Sequence, residues 1–425
     1  MILEKEYKKR RDTLAKKLSK DSISVLFSST YQTRSNDTEY PYRQNSDFYY
    51  LTGFKEDNSA LVFIKTKNSV KTILFVQKKE LQLELWNGKR LGKVEAKKRF
   101  SVDDVYVSDS LKKRLKEYLI SKEDLYLDIN SKDKRVKKLL KLSKEVKTHH
   151  NLLPLIHNMR LIKSSSEIQL IKKAIEITKS AHHKIMRSKK VGKSENDVLA
   201  EIEYEFKSNG AYSDAYTSIV ASGNSANTLH YIENNRPLIE NELILIDAGC
   251  EYQYYASDIT RTIPVNAKFT KSQKELYNLV LNTQLKIIDK IKPGTKRSEL
   301  QKKTEVLLTK GMIKLGILKG NYKKLIKKNI HKKYYPHGIG HWMGLDVHDQ
   351  APYKDVNGDE IPLAKNMVLT IEPGLYIDKD DNSVPKKYRG IGIRIEDDIL
   401  VTKDGYKNLS KKIVKTIKDI ESISG

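Results

Sequence analysis

The chain has 425 residues and a formal net charge of +26, with 38% hydrophobic residues. This length exceeds one ordinary domain and suits two, while the lack of any run approaching about 18 apolar residues argues against a membrane partner. A single cysteine, Cys250, excludes an intramolecular disulfide, and with acids among the first 12 residues it favours a cytoplasmic protein without a targeting segment.

The positive charge suggests nucleic-acid binding, but the basic residues are unevenly distributed. Residues 208–267 contain no lysine and only two arginines, Arg236 and Arg261. The same segment contains these acids: Asp214, Glu233, Glu240, Glu242, Asp247, Glu251 and Asp258. A segment that lacks lysine and gathers carboxylates is typical of a cation site, so we expect no nucleic-acid partner.

The amino-terminal part is predicted to be a small mixed α/β domain over residues 1–155. Its apolar patterning predicts helices over 4–20 and 132–142 and strands over 60–65, 70–76, 104–107 and 124–129, of which the first two form a hairpin. The aromatic segment 40–54 is interpreted as domain core with buried tyrosines. A linker is expected around residues 149–163.

The remaining residues, 156–425, are predicted to form an α+β catalytic domain. Capping-box patterns at Ser164 and Ser194 predict two helix starts, and further helices are expected after Thr270 and Ser298. Strand-like segments follow these helices, and several of them end in an acid. Helices combined with antiparallel-looking strands favour the α+β class.

Four acids lie at or near the ends of predicted strands. Asp247 ends an apolar run, residues 248–250 are expected to turn the chain, and Asp258 follows on the returning strand, where hairpin pairing brings the two carboxylates together. Glu372 ends another run that Pro373 stops. In residues 391–396 the isoleucines alternate with Gly392, Arg394 and Glu396, which predicts a strand with one polar face.

Histidines near these acids complete a candidate metal site. They are His230, His337, His341 and His348, and glycines between residues 337 and 341 allow the backbone to approach a ligand closely. Carboxylates with one imidazole suit hard divalent ions such as Mn²⁺, and four carboxylates suit two ions about 3.5 Å apart. Without cations, these carboxylates would repel one another.

The order Asp247, Asp258, His341, Glu372, Glu396 resembles that of the pita-bread metallopeptidases, which include methionine aminopeptidase, prolidase and aminopeptidase P. The segments 246–250, 257–262, 337–348 and 390–397 are most similar to bacterial aminopeptidase P, and residues 40–54 resemble the first domain of that family. The resemblance implies an aminopeptidase P-type amino-terminal domain over 1–155 and a pita-bread (creatinase/aminopeptidase-like) domain over 156–425.

The resemblance also implies an activity and residue roles. The enzyme would release the amino-terminal residue from peptides with proline in second position, by attack of a metal-bridging hydroxide. Five residues would hold two ions, with Glu372 also carrying a proton: Asp247, Asp258, His341, Glu372 and Glu396. His230 and His348 would act on the oxyanion or carry protons, and His337 and Arg394 would help bind substrate.

Several alternatives remain open from the sequence. Prolidase action on Xaa-Pro dipeptides is one, and a non-catalytic binding protein on the same fold is another. The family favours Mn²⁺, although zinc or cobalt would also fit the ligands. Relatives form dimers or tetramers, and the aromatic segment together with Trp86 could serve such contacts.

Overall fold

The computed structural model describes residues 2–424, and the chain divides into two compact units, one ending at Arg160 and the other beginning at Leu161. Both units mix helices and sheets. No helix within residues 2–424 combines the length and apolar character that crossing a membrane requires.

The first unit is built on one six-stranded mixed sheet. Its helices are α1 Glu4–Lys17, α2 Ser46–Thr52, α3 Leu81–Asn87, α4 Gly92–Arg99, α5 Leu111–Leu119, α6 Lys134–Leu142 and α7 Leu153–Arg160. Its strands are β1 Ser22–Phe27, β2 Thr33–Ser35, β3 Thr38–Glu39, β4 Ala60–Lys65, β5 Val70–Val76, β6 Asp104–Val107, β7 Asp124–Leu127 and β8 Thr148–Asn151. The sheet order is β6-β5-β4-β1-β7-β8, and β2 pairs with β3 separately.

The apolar strand patterns of this unit are confirmed. The β4–β5 hairpin pairs antiparallel, with Val62 opposite Ile73, and both residues are fully buried. The helix predicted over 132–142 begins at Lys134 because the Asp133 side chain accepts a hydrogen bond from the Arg135 amide and caps it. The aromatic segment supplies core residues through α2, where Phe48, Tyr49 and Tyr50 are buried.

The linker expected around residues 149–163 is wrong. Residues 148–151 form β8, which pairs in parallel with β7, and residues 153–160 form α7. No clear burial pattern marks α7, since it buries only Ile156 and Arg160. Arg160 is buried because its guanidinium pairs with Asp47 on α2 at 2.8 Å, a tertiary contact that sequence periodicity does not reveal.

The second unit packs long helices against several small antiparallel sheets. Its helices are α8 Ser165–Arg187, α9 Glu195–Ser208, α10 Lys271–Ile288, α11 Arg297–Lys314, α12 Tyr322–Lys327 and α13 Ile417–Ser424. Its strands are β9 Ser213–Asp214, β10 Ile219–Ser222, β11 Leu243–Asp247, β12 Cys250–Tyr252, β13 Tyr255–Ala256, β14 Thr260–Pro264, β15 Val368–Ile371, β16 Gly374–Ile377, β17 Ile391–Arg394, β18 Asp397–Val401 and β19 Tyr406–Asn408.

These strands form four sheets: β10-β11-β14, β13-β12-β9, β15-β18-β19 and β16-β17. The predicted capping boxes at Ser164 and Ser194 are present, and Thr270 forms a third with Gln273 at the start of α10. These caps fix where the helices begin. The largest apolar core lies between α8–α11 and the strands that carry the acids.

The turn predicted at residues 248–250 is wrong. The chain continues through Cys250 into β12 and turns at Gln253 and Tyr254, which both adopt positive φ. These two residues join β12 to β13, and two consecutive positive φ values are typical of a tight hairpin loop. The inserted β12–β13 hairpin replaces a direct connection, so β11 pairs with β14 beyond it, with Asp247 opposite Thr260.

Candidate active site and metal centre

The four predicted acidic ligands lie where strands end or change sheet. Asp247 is the last residue of β11, and Asp258 lies two residues before β14. Glu372 separates β15 from β16, and Glu396 separates β17 from β18. The antiparallel pairing of β11 with β14 and of β15 with β18 brings these strand ends into one region of the second unit.

The structure brings the predicted ligands together around one imidazole. His341 Nε2 lies 3.2 Å from an Asp258 oxygen and 3.7 Å from a Glu372 oxygen. Ligand atoms of Asp258, His341 and Glu396 all lie within 4.8 Å of one another. A cavity of about 640 Å³ is lined by all five predicted ligands and by His230, His337, His348 and Arg394.

The tautomer of His341 leaves its Nε2 available as a ligand. Its Nδ1 lies 3.0 Å from the Trp342 carbonyl oxygen, which can only accept, so Nδ1 carries the proton and donates it. Nε2, which faces Asp258 and Glu372, therefore has a free lone pair in the neutral ring. This is the arrangement that a metal-binding histidine requires.

The buried carboxylates destabilise one another's charges. Burial, with the neighbouring Asp247, raises the pKa of Asp258 well above its usual range, and burial with Asp258 does the same for Glu396. Burial and then Glu396 raise the pKa of Glu372 to about 8. Divalent cations offset such repulsion, and this donor set of carboxylate oxygens with one imidazole fits them.

Asp247 is held by two residues from distant parts of the chain. Arg394 donates to its Oδ2 at 2.6 Å, and the Tyr216 hydroxyl donates to its Oδ1 at 2.6 Å. The Thr260 hydroxyl similarly donates to Glu396 at 2.8 Å. These bonds orient the carboxylates of Asp247 and Glu396.

His337 belongs to a network that also contains Arg394. Its Nδ1 donates to the Gly338 carbonyl at 2.8 Å, so its Nε2 accepts from the Tyr376 hydroxyl, also at 2.8 Å. That hydroxyl in turn accepts from Arg394 at 3.0 Å. Burial, then the charge of Arg394, lowers the pKa of His337 to about 4, which keeps its ring neutral.

The other two predicted histidines lie at the same cavity. The ring of His348 is 4.1 Å from that of His341, and burial, followed by the charge of His341, lowers the pKa of His348 to about 4. His230 lines the cavity between Leu229 and Ile232. The structure thus gathers every predicted site residue in one place.

Two glycines permit the close backbone contacts of the site. A Cβ on Gly340 would lie 1.9 Å from the Thr370 carbonyl oxygen, and a Cβ on Gly249 would lie 1.9 Å from that of Ser257. Gly340 precedes His341, so only glycine lets this loop lie directly against β15.

Cys250 and His182 support the site from behind. Burial raises the pKa of the Cys250 thiol to about 12, so it is a neutral packed group, and its Sγ lies 3.4 Å from the Ala174 carbonyl. His182 on α8 is buried and donates to the Ala248 carbonyl at 3.0 Å, next to Asp247. Both residues therefore act as packing groups behind the site.

Sequence reasoning missed Tyr216, Thr260 and Tyr376. Thr260 carries a recognisable signal, because it lies two residues after Asp258 and therefore near the same strand face. Tyr376 lies four residues after Glu372 on the strand that follows. Tyr216 lies 31 residues before Asp247 in a segment without periodicity, and no sequence signal links the two.

The chain is similar to known metallopeptidases over nearly its whole length. A family model described as metallopeptidase family M24 matches residues 169–403, and one described as aminopeptidase P, N-terminal domain, matches residues 7–126. The Xaa-Pro aminopeptidase of Escherichia coli (strain K12) is 40% identical over 99% of this chain and 98% of that protein. Xaa-Pro aminopeptidase 3 of Homo sapiens is 36% identical over 98% of this chain and 85% of that protein.

Solved structures give the same result. Zn-substituted E. coli aminopeptidase P in complex with product has a TM-score of 0.96 at 39% identity, covering 99% of this chain and 98% of that chain. The E. coli enzyme with the inhibitor Pro-Leu has a TM-score of 0.95 at the same identity and coverage. These similarities extend over both units of the chain.

Proposed function

The chain belongs to metallopeptidase family M24, and from this membership we propose that it is an Xaa-Pro aminopeptidase, which releases the amino-terminal residue from peptides with proline in second position. Its fold is the predicted one, an aminopeptidase P-type first domain followed by a pita-bread domain. The observation that carries the proposal is the clustering of Asp258, His341, Glu372 and Glu396 in one cavity.

Two divalent ions would be held by the five clustered residues, with Asp258 and Glu396 close enough to His341 to share in holding them. Asp247 would complete one ion, and His341 with Glu372 the other. The neutral tautomer of His341 and the mutual repulsion of the buried acids support this assignment. Mn²⁺ is the proposed metal, since carboxylate oxygens dominate the set, and zinc and cobalt are the alternatives.

Such ions, when bound, lower the pKa of a bridging water and polarise the scissile carbonyl. The residues of the chain then divide the remaining work. Glu372 carries a proton from the attacking water to the departing proline nitrogen, a role that requires a carboxylate beside the bound water. His230 and His348 donate hydrogen bonds to the oxyanion that forms at the scissile carbon.

His337 and Arg394 are proposed to form the substrate side of the site. The neutral ring of His337 offers an apolar wall for the proline, because burial keeps it uncharged. Arg394 orients Asp247 through their ion pair of 2.6 Å and fixes Tyr376 beside His337. The free α-amino group of the substrate would be accepted at the acidic end of the cavity, near Asp247.

We also propose a homo-oligomer and a cytoplasmic location. The single buried cysteine suits a reducing compartment.

Helix α3 of the first unit supports the homo-oligomer. It buries none of its residues and exposes Leu81, Leu85 and Trp86 by more than 80% each, an apolar surface suited to a second copy of the chain. Light scattering of the purified protein tests the assembly, and a monomer at micromolar concentration would contradict it.

The test of the function is a hydrolysis comparison with Mn²⁺-loaded protein and its Glu372→Ala variant. The substrates are an Xaa-Pro dipeptide, an Xaa-Pro-Yaa-Zaa peptide and a Met-Ala peptide. Cleavage of the longer peptide at the Xaa-Pro bond, lost in the variant, is expected. Cleavage of the dipeptide alone would indicate a prolidase, and no cleavage despite bound metal would indicate a binding protein.

A further inference from the structure

Arg297 lines the cavity that contains the metal ligands, yet the reaction described above assigns it no role. It is the first residue of α11, and its side chain reaches the loop that carries the site histidines. Its NH1 donates to the Gly340 carbonyl at 2.8 Å, one residue before His341. The guanidinium therefore lies beside the cavity that contains the proposed metal ligands and not on the outer surface of α11.

Arg297 forms no ion pair in the part of the chain that the structure describes, and its charge acts at longer range on Glu360. The cavity is lined by two arginines, and Arg394 is paired with Asp247 at 2.6 Å. Among residues 2–424, no acid forms an ion pair with Arg297, and its Nε–H is buried without a hydrogen-bond acceptor. A guanidinium with a buried N–H group that has no acceptor can still bind an anion that enters the cavity.

The aromatic residues under Arg297 fix its orientation. Its guanidinium carbon lies 4.5 Å from the ring centroid of Tyr353, and that ring stacks on Trp342 with centroids 5.5 Å apart. Stacking leaves the in-plane N–H groups of a guanidinium free to bind a planar anion such as a carboxylate. The side chain is thus held in place before any ligand arrives, which lowers the entropy cost of binding.

The position of Arg297 relative to His337 gives the direction of the peptide. The Cβ position of Gly338, next to His337, lies 3.6 Å from NH1 of Arg297. If His337 contacts the proline of the substrate, the guanidinium lies at the level of the residue that follows. The acids that line the same cavity would accept the amino group, so the cavity offers groups for both charges of a short peptide.

We infer that Arg297 binds a carboxylate carried by the residue after the proline, and that this contact makes the enzyme favour such substrates. The inference rests on the proposed Xaa-Pro aminopeptidase function. The carboxylate has two sources, the carboxyl terminus of an Xaa-Pro-Yaa tripeptide or an acidic side chain at the third position. Both present the same planar anion to the guanidinium.

The experiment compares kcat and KM of Mn²⁺-loaded protein for three peptides: Ala-Pro-Ala as the free acid, Ala-Pro-Ala amide, and Ala-Pro-Glu amide. The proteins are wild type, Arg297→Gln, Arg297→Lys and the matched control Lys296→Gln, which removes an exposed neighbouring charge that does not line the cavity. Wild type is expected to favour at least one carboxylate-bearing peptide about tenfold over Ala-Pro-Ala amide, through KM.

In Arg297→Gln this preference should fall to about one, because the carboxylate-bearing peptides lose more kcat/KM than Ala-Pro-Ala amide does, and Arg297→Lys should keep part of the preference. Lys296→Gln should behave as wild type. Preference for the free acid assigns the carboxyl terminus, and preference for Ala-Pro-Glu amide assigns the side chain.

Three results would overturn the inference. Equal kcat/KM for all three peptides in wild type would do so while leaving the proposed function intact. An equal loss on the acid and the amide in Arg297→Gln would show that the side chain only supports the Gly340 loop. No cleavage of any Xaa-Pro peptide by wild type would reject the proposed function, and the inference with it.

Discussion

Arg394 is the residue whose removal should weaken metal binding. Its guanidinium pairs with Asp247 at 2.6 Å and bonds Tyr376 at 3.0 Å. Residues that orient metal ligands typically contribute about 10- to 100-fold to metal affinity. We expect Arg394→Met to weaken Mn²⁺ binding by this factor, measured by isothermal titration of metal-free protein. Arg389→Met, which removes a nearby arginine bonded to Val384 and Asn382, is the control, and equal effects of both would contradict the role.

Tyr216 tests how much its hydrogen bond to Asp247 contributes to catalysis. Its hydroxyl donates to Asp247 at 2.6 Å, and no other part of its chemistry is needed for the proposed reaction. Tyr216→Phe removes only the hydroxyl, so we expect kcat/KM to fall about 10- to 150-fold, because a hydrogen bond to a charged group contributes about 1.5–3 kcal/mol. Steady-state kinetics on an Xaa-Pro peptide measures it, and unchanged kinetics would mean that Asp247 is oriented by Arg394 alone.

The residue scale also shows what the sequence could predict. The five proposed ligands could be picked out because each acid ends a strand or breaks its alternation, and because His341 lies among glycines. Tyr216 and Arg297 could not be identified in this way. Tyr216 is 31 residues from Asp247 in the sequence, and Arg297 is 43 residues from Gly340. Such contacts depend on how strands and helices pack, which periodicity does not specify.

At the scale of elements, the loop before His341 depends on its contact with β15. A methyl group on Gly340 would meet the Thr370 carbonyl at 1.9 Å, a distance that backbone atoms cannot accommodate without moving. We expect Gly340→Ala to displace His341 and to lower activity by about 100-fold or more. Gly405→Ala, whose Cβ would lie 4.0 Å from the Ile291 carbonyl, is the control and should keep its activity. Full activity of Gly340→Ala would show that this close packing is not required.

Helices α2 and α7 of the first unit are joined by a buried ion pair between Asp47 and Arg160. Burial raises the pKa of Asp47, but the hydrogen bond from His157 and the charge of Arg160 outweigh it and lower this pKa below its usual value near 3.8. The stabilisation is therefore complete above about pH 4 and is lost as pH falls through the folded-state value. Removing one partner of a buried pair costs about 3 kcal/mol.

The Asp47→Asn variant tests this pair by urea unfolding followed with a probe in the first unit. Its deficit relative to wild type should be full at pH 7 and should shrink below pH 4, since wild type then also loses the charge. Asp12→Asn, which removes an exposed ion pair with Lys8, should change stability by less than about 1 kcal/mol. A deficit that does not change with pH would contradict the electrostatic account.

The element scale also explains where sequence prediction failed. The β12–β13 hairpin was missed because its turn consists of Gln253 and Tyr254, two residues that rarely adopt positive φ and that carry no glycine signal. Strand β8 was missed because all of its residues are polar, and helix α7 was missed because it is short and buries only Ile156 and Arg160. By contrast, the helices that begin with capping boxes were predictable because the cap is a local interaction.

At the scale of the whole molecule, bound metal should stabilise the second unit. Burial and mutual repulsion disfavour the charged forms of Asp258 and Glu396, so cations that bind only the folded state offset this cost. We expect chelation to lower the Tm by several degrees in calorimetry. The double variant Asp258→Asn, Glu396→Gln should show little response to chelator, and an equal response would assign the stabilisation to another site.

The most direct test of the central claim is the activity of metal-free protein titrated with Mn²⁺. The rate of cleavage at the Xaa-Pro bond of an Xaa-Pro-Yaa-Zaa peptide is measured against the metal bound per chain. A dinuclear site formed by the five clustered ligands predicts no cleavage without metal and a maximum at about two ions per chain. Cleavage by metal-free protein, or a maximum reached at one ion per chain, would contradict the account.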